Sequence, residues 1–224
     1  MESQRRTVRM AEKLVESKMA GRDASHDAAH AFRVRDLALS LAREEGLDGH
    51  ALEIVELAAL LHDIGDYKYS KDFVEDTTVV DNFLMEENVE ESKRHKILDI
   101  IKGMGFKNEV LNRSCRASSP EFGVVQDADR LDAIGAIGIA RCFTYGGSTN
   151  KILYDPEIPP RQNLSKEKYM NKDEKQTTIN HFYEKLFKLK DLMKTEAGRK
   201  RAEKRHRFME SFIEEFHKEW DGRA

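Results

Sequence analysis

The stretch LAALLHDIGD, residues 57–66, decides how this chain folds. Its first five residues form the longest uninterrupted apolar run in the sequence, and His62 and Asp63 follow at once. Apolar residues upstream recur at helical spacing, and a helix commonly ends at a glycine such as Gly65. The pattern predicts a buried helix that begins at an Asp48 cap and delivers His62 and Asp63 at its end.

Helical patterns continue on both sides of this stretch, each with apolar residues on one face. They cover about 8–19, 25–45 (with Ser25 as the cap), 72–85 and 89–104. Pro120 favours the start of another helix, and the segment 124–143 is apolar on most sides, which is typical of a buried helix. Because no segment with strand alternation is long enough to build a sheet, the sequence predicts an all-α protein.

We expect one domain over residues 1–224. Its core covers about 8–145, and two C-terminal helices occupy 176–220. Between them, residues 146–175 contain three of the four prolines and many polar residues. A loop of this length in a compact chain is usually functional, so this segment is predicted to be a loop or lid.

The charges nearly cancel, with 38 Lys and Arg against 41 Asp and Glu, a net charge of −3. This balance argues against a dedicated nucleic-acid-binding protein, and the basic run at 199–207 is interleaved with residues of an amphipathic helix. The two cysteines cannot form a disulfide framework, which favours a reducing compartment. No secretory signal and no membrane-spanning apolar run is visible, so we expect a cytoplasmic protein without membrane partners.

Ligand-type side chains are concentrated at four places: His30, His62-Asp63, Asp66 and the segment with Asp127 and Asp129. Taken singly, each has a structural interpretation: His30 as a satisfied boundary residue, His62-Asp63 as a helix cap, and Asp127 or Asp129 as acids near a helix start. Together they need a common reason, since buried carboxylates are costly unless they are paired or bound to a metal. Two imidazoles and two carboxylates suit a divalent transition-metal ion.

Several motifs at these positions resemble those of the HD superfamily of metal-dependent phosphohydrolases. They are HAFRV at 30–34, LAALLHDIGD at 57–66 and ADRLDA at 128–133. The segments 127–141 and 180–186 are similar to a narrower subfamily of small bacterial and eukaryotic HD hydrolases that includes a Bacillus nucleotide pyrophosphohydrolase. The resemblance covers about residues 8–220 and implies an HD-domain helical bundle with two C-terminal helices packed on it.

The resemblance also implies a metal site and a water-handling acid. The implied metal ligands are His30, His62, Asp63 and Asp129. The ion is divalent, with Mn²⁺ favoured and Mg²⁺, Co²⁺, Ni²⁺ or Fe²⁺ as alternatives. Asp66 lies three residues after Asp63, where relatives carry the acid that orients or deprotonates the attacking water. Between Asp127 and Asp129, the resemblance favours Asp129 as the metal ligand and leaves Asp127 to support the site or to cap the helix.

Further residues are candidates for contacting the reacting phosphate or the substrate. Arg33 and His26 flank His30 by about one helical turn, so we expect them near the metal face, where they would join Asp66 as catalytic residues. The candidate substrate-binding residues are Lys68, His95, Asp132, Arg141, His181 and Lys185.

The predicted substrate is a small-molecule phosphate ester, most narrowly a nucleotide. The resemblance favours hydrolysis of nucleoside or deoxynucleoside triphosphates to the monophosphate and pyrophosphate. The alternatives are a nucleotidase or phosphodiesterase acting on another small phosphate ester, and a non-catalytic module that binds nucleotide or metal. The sequence leaves the choice between a monomer and a homodimer open.

Overall fold

The computed structural model describes residues 2–65, 76–104, 119–161 and 176–224. Its helices are α1 (Glu2–Met19), α2 (Ala28–Glu44), α3 (Gly49–Leu61), α4 (Thr78–Glu86), α5 (Glu91–Gly103), α6 (Pro120–Asp132), α7 (Gly135–Ser148), α8 (Asn180–Glu184) and α9 (Glu196–Trp220), with a 3₁₀ helix at Leu186–Leu192. The only pairing of strand type within these residues is an isolated bridge between Ile152 and Thr177. The all-α prediction is confirmed.

The chain divides into two compact units. The first comprises residues 1–22 and 26–129, and the second comprises residues 23–25 and 130–224. The expectation of one domain over 1–224 stays a prediction. No helix among the described residues is long and apolar enough to cross a bilayer.

Helix α3 is the centre of the first unit and packs against α1, α2 and α5. Its residues Leu57–Leu61 are at most 1% exposed, so this helix has no solvent face near its C-terminal end. A helix that is apolar all round is stable only inside a core. The predicted cap is confirmed, because the Asp48 side chain accepts a hydrogen bond from the backbone N–H of Ala51.

Helix α2 begins later than the sequence predicted. Asp27, not Ser25, is its N-cap, and the Asp27 carboxylate accepts a hydrogen bond from the backbone N–H of His30 at 3.1 Å. Ser25 instead donates from its backbone N–H and its hydroxyl to the Asp23 carboxylate. Since both side chains are good caps, the sequence alone did not distinguish between them.

The apolar segment 124–143 is not one helix. Helix α6 ends at Asp132 and α7 begins at Gly135, with Ile134 extended between them. Gly135 has φ +74°, a conformation that L-residues with a side chain rarely adopt. The prediction of a buried helix holds for α6, where residues 123–128 are all buried, whereas Ile137 in α7 is 45% exposed.

The C-terminal part of the chain also departs from the two helices predicted over 176–220. Helix α8 has five residues and gives way to the 3₁₀ helix, while α9 has 25 residues and packs against α7 and the 3₁₀ helix. Helix α7 continues to Ser148, so the predicted loop begins after it. Residues 162–175 of the predicted lid lie outside the described residues, and the lid stays a prediction.

The break at Gly135 can be tested against a second glycine of the same helix. A Cβ at Gly135 would lie 2.9 Å from Arg205 Cγ, whereas a Cβ at Gly147 would meet nothing within 4 Å. We expect Gly135→Ala to lower the free energy of unfolding by about 1–3 kcal/mol, because it adds backbone strain and a close contact. Gly147→Ala should leave it unchanged or raise it by less than about 1 kcal/mol. Urea denaturation measures both changes, and equal effects would contradict this account of the break.

Candidate metal centre

His62 lies immediately after α3, where the helix ends and its last carbonyls point outward. Its Nδ1 lies 2.8 Å from the carbonyl oxygen of Ala59. Because a carbonyl can only accept, Nδ1 carries the proton, and in the neutral imidazole Nε2 then presents a lone pair. This Nε2 is buried and has no hydrogen-bond partner. An unsatisfied buried acceptor is costly, and a bound metal ion would satisfy it.

His30 approaches from the first turn of α2 and is 1% exposed. The Asp27 cap holds the backbone N–H of His30, which fixes the start of the helix and the direction of the side chain. The rings of His30 and His62 lie edge to face with their centroids 5.3 Å apart. Two elements far apart in sequence therefore place two imidazoles side by side.

Two carboxylates complete the cluster. His30 Nε2 lies 3.4 Å from Asp63 Oδ2 and 3.5 Å from Asp129 Oδ1. His62 Nε2 lies 3.4 Å from Asp63 Oδ1 and 3.8 Å from Asp129 Oδ1. One ligand atom from each of His30, His62 and Asp129 falls within 4.8 Å of the others. The sequence-predicted ligand set is thus brought together in the first unit.

Three of the four separations, at 3.4–3.5 Å, suit ligands around one metal ion better than direct hydrogen bonds, and the fourth is wider at 3.8 Å. Good N–H···O hydrogen bonds have donor–acceptor distances of about 2.7–3.2 Å, shorter than any of the four. Ligands at about 2.0–2.2 Å from a common ion lie roughly 3–3.5 Å apart in tetrahedral or octahedral geometry. Nitrogen and carboxylate donors together suit a divalent transition metal. The residues present therefore fit such an ion.

The electrostatic setting also favours a cation. The carbonyl end of α3 carries a partial negative charge, and the carboxylates of Asp63 and Asp129 add to it. The Asp129 side chain is 33% exposed, against 1% and 3% for the two imidazoles. The cluster is therefore buried on its histidine side and accessible on the side of Asp129, where a substrate could approach.

A glycine closes the turn that carries His62 and Asp63. Gly65 has φ +82°, and a Cβ built there would lie 1.9 Å from the carbonyl oxygen of Asp76. The Asp76 backbone N–H donates to the Gly65 carbonyl at 3.1 Å. Asp76 is therefore hydrogen-bonded to the end of the turn that carries His62 and Asp63. Asp66 and Lys68, which the sequence analysis placed at the site, lie outside the described residues.

The other candidates of the first unit take different positions. His26 precedes α2 and does not share a helical face with His30, but their ring centroids are 6.2 Å apart. Arg33 is half-buried on α2, one turn beyond His30. His95 is exposed on α5. His26 therefore lies next to the cluster, but from the segment before α2 and not from the helical face that the spacing predicted.

The remaining candidates belong to the second unit. Arg141 donates from Nη1 to Asp132 Oδ2 at 3.0 Å and from Nε to the carbonyl of Ser25 at 2.7 Å. His181 and Lys185 are half-buried at α8 and just after it. For all four, a contact with substrate stays a prediction.

Two side-chain contacts near these motifs were not predicted from the sequence. The buried Glu184 carboxylate accepts from the backbone N–H of Arg161 at 2.9 Å and from its Nη2 at 2.8 Å. Arg22 reaches the Asp63 carbonyl. No local pattern signals either contact, because each joins residues more than 20 positions apart.

The surroundings of Cys142 do not activate its thiol. Burial raises the pKa of its thiol to about 12, so the reactive thiolate is scarce at neutral pH. Nearby lysines lower the pKa by less than burial raises it.

Comparison with known proteins agrees with this geometry. The HD domain family matches residues 27–134, a range that contains all four residues of the cluster. Protein YpgQ of Bacillus subtilis is 36% identical over 211 residues, which cover 93% of this chain and 91% of YpgQ.

Solved structures show the same similarity. YpgQ in complex with ADP has a TM-score of 0.74 and 33% identity, covering 97% of this chain and 96% of that one. An HD-superfamily hydrolase from Bacillus thuringiensis has a TM-score of 0.72 and 41% identity, covering 97% and 98%. A protein from Lactobacillus plantarum has a TM-score of 0.82 and 37% identity, covering 96% and 97%. The chain belongs to the HD superfamily of metal-dependent phosphohydrolases.

Proposed function

We propose that the protein hydrolyses nucleotides, and most narrowly that it converts nucleoside or deoxynucleoside triphosphates to monophosphates and pyrophosphate. The observation that carries the proposal is the convergence of two buried imidazoles and two carboxylates at distances suited to one divalent ion. The ADP complex of its relative YpgQ supports a nucleotide as the substrate. The triphosphate and the pyrophosphate product rest on the resemblance of the sequence motifs.

The proposed metal ligands are His30, His62, Asp63 and Asp129. His62 is prepared for this role, since its Nδ1 proton is held by the Ala59 carbonyl and its Nε2 faces the cluster. Mn²⁺ is the favoured ion, with Mg²⁺, Co²⁺, Ni²⁺ or Fe²⁺ as alternatives, because such donor sets accept several divalent metals and availability decides among them.

A divalent ion bound here would lower the pKa of a coordinated water and offset the negative charge of the phosphate. The chain's own residues have separate tasks. Asp66 is proposed to accept the proton of the attacking water. Arg33, as a permanent cation one turn from His30, would stabilise negative charge that develops on the phosphate oxygens. His26, with its ring 6.2 Å from that of His30, would hydrogen-bond the phosphate or the leaving group.

One observation favours a second candidate, the release of inorganic phosphate. The nucleotide in the YpgQ complex is a diphosphate, which pyrophosphate release from ATP does not produce. A phosphatase that removes a terminal phosphate would instead meet ADP as its product or as its substrate. The two candidates share the metal cluster and differ in the bond that is cleaved.

The product identifies which candidate is right. Metal-free protein is supplied with Mn²⁺ and a panel of nucleoside tri-, di- and monophosphates, and pyrophosphate and phosphate are measured separately. We expect equal amounts of monophosphate and pyrophosphate from triphosphates and no phosphate from monophosphates. Phosphate as the first product from ATP or ADP would favour the second candidate, and hydrolysis without added metal would contradict both.

The ligand set can be tested with two histidines at opposite ends of α3. We expect His62→Ala to lower Mn²⁺ affinity by more than the roughly 10- to 100-fold typical of residues that support ligands, and to abolish hydrolysis. His50→Ala removes an exposed imidazole at the start of the same helix and should change neither. Isothermal titration with Mn²⁺ measures the affinity. Wild-type affinity in His62→Ala would overturn the assignment.

The role of Asp66 predicts a different pattern. If Asp66 acts on the attacking water and does not bind the metal, Asp66→Asn should keep Mn²⁺ affinity near that of the wild type. It should lower kcat by about 100- to 10,000-fold, the usual contribution of a general base. Titration and steady-state kinetics on the same preparation separate the two effects. Full turnover in Asp66→Asn would show that another group handles the proton.

A further inference from the structure

Residues 62–65 form a turn, here called the HD turn. Hydrogen bonds to backbone carbonyls in and next to this turn hold it in place. The carbonyls just before the HD turn and at its end have donors at hydrogen-bond distance. These pairs are Ala59 O with His62 Nδ1 at 2.8 Å, Leu61 O with the Ile64 N–H at 3.1 Å, and Gly65 O with the Asp76 N–H at 3.1 Å. Such carbonyls lose their intrahelical partners where a helix ends, so each needs a donor from elsewhere.

The carbonyl of Asp63 accepts two long hydrogen bonds from a side chain in a distant part of the first unit. Both Nη1 and Nη2 of Arg22 lie 3.4 Å from this oxygen. Arg22 follows Gly21, whose φ of +78° turns the chain directly after α1. The guanidinium is therefore carried to the HD turn by the end of α1, 41 positions away in sequence.

We infer that Arg22 is a positioning residue, which sets the direction of the Asp63 carboxylate by holding the Asp63 backbone. The inference rests on the proposed function, in which Asp63 is a metal ligand. An aspartate side chain has only two rotatable bonds, so the position of its carboxylate follows closely from its backbone. The carboxylate must be placed accurately here, because its two oxygens lie 3.4 Å from two different imidazoles.

The charge of Arg22 has the opposite effect on metal binding. A guanidinium beside the HD turn repels a divalent cation bound there, so its charge alone weakens metal affinity. If Arg22 acted only as a charge, its removal would tighten metal binding. If Arg22 acts by positioning Asp63, its removal weakens metal binding. The sign of the change therefore distinguishes the two roles.

The experiment compares three variants of the full chain by isothermal titration of metal-free protein with Mn²⁺ alone. Arg22→Gln removes the charge and the fork of donors, and Arg22→Lys keeps the charge but loses the fork. Arg9→Gln, at an exposed position on α1, removes the same charge away from the HD turn. We expect both Arg22 variants to bind Mn²⁺ about tenfold more weakly, as residues that orient ligands do. Arg9→Gln should bind Mn²⁺ as the wild type does.

Unfolding of the metal-free variants in urea provides the second readout. Positioning predicts that the Arg22 variants lose Mn²⁺ affinity while their unfolding midpoints stay close to that of the wild type. Wild-type or tighter binding in Arg22→Gln overturns the inference alone. An equal loss of unfolding free energy and of binding free energy marks a merely structural role and also overturns it. If the wild type itself does not bind Mn²⁺, the proposed function fails, and the inference fails with it.

Discussion

The burial of two imidazoles next to two carboxylates is the constraint on which the rest of the first unit depends. Polar groups removed from water must find partners, and an acceptor without one costs free energy. His62 Nε2 is such an acceptor, and it lies at the end of a helix whose last five residues are almost fully buried. A bound divalent ion would satisfy this nitrogen and the neighbouring carboxylates together, which links the stability of the core to the chemistry of the site.

Helix ends do much of the positioning in this cluster. The first turn of α2 carries His30, and the turn after α3 carries His62 and Asp63. Backbone groups at helix ends lack intrahelical partners, so side chains such as Asp27 can bind them and thereby fix the direction of the side chains in the cluster. The same need for partners explains why the Ala59 carbonyl selects the tautomer of His62. The hydrogen bonds that complete the ends of α2 and α3 therefore also orient the two imidazoles of the proposed metal site.

In the second unit, buried carboxylates are paired with arginines and not with histidines. Asp132 is paired with Arg141, and Glu184 is paired with Arg161, with the acid almost fully buried in each pair. A buried carboxylate needs such a partner, and removal of one member would leave the other uncompensated. Both acids belong to segments that resemble the narrower HD subfamily. The candidates His181 and Lys185 lie beside the paired Glu184 in sequence.

Much of this architecture was determined by the sequence alone. Apolar periodicity and the run at 57–61 specified an all-α protein with α3 in its core, and Asp48 and Pro120 marked helix starts correctly. Motif resemblance identified the four side chains that converge in the first unit. These features are local, because helical periodicity, caps and motifs are properties of neighbouring residues.

Only the tertiary structure decided where the chain turns and which distant groups meet. Ser25 and Asp27 are both good caps, and Asp27 is the one that caps α2. The Ser25 carbonyl accepts a hydrogen bond from Arg141, 116 positions away in sequence. The break before Gly135 and the contact of Arg22 with the Asp63 carbonyl likewise depend on partners remote in sequence. Local propensities differ by about 1 kcal/mol between such alternatives, and long-range packing and hydrogen bonding outweigh them.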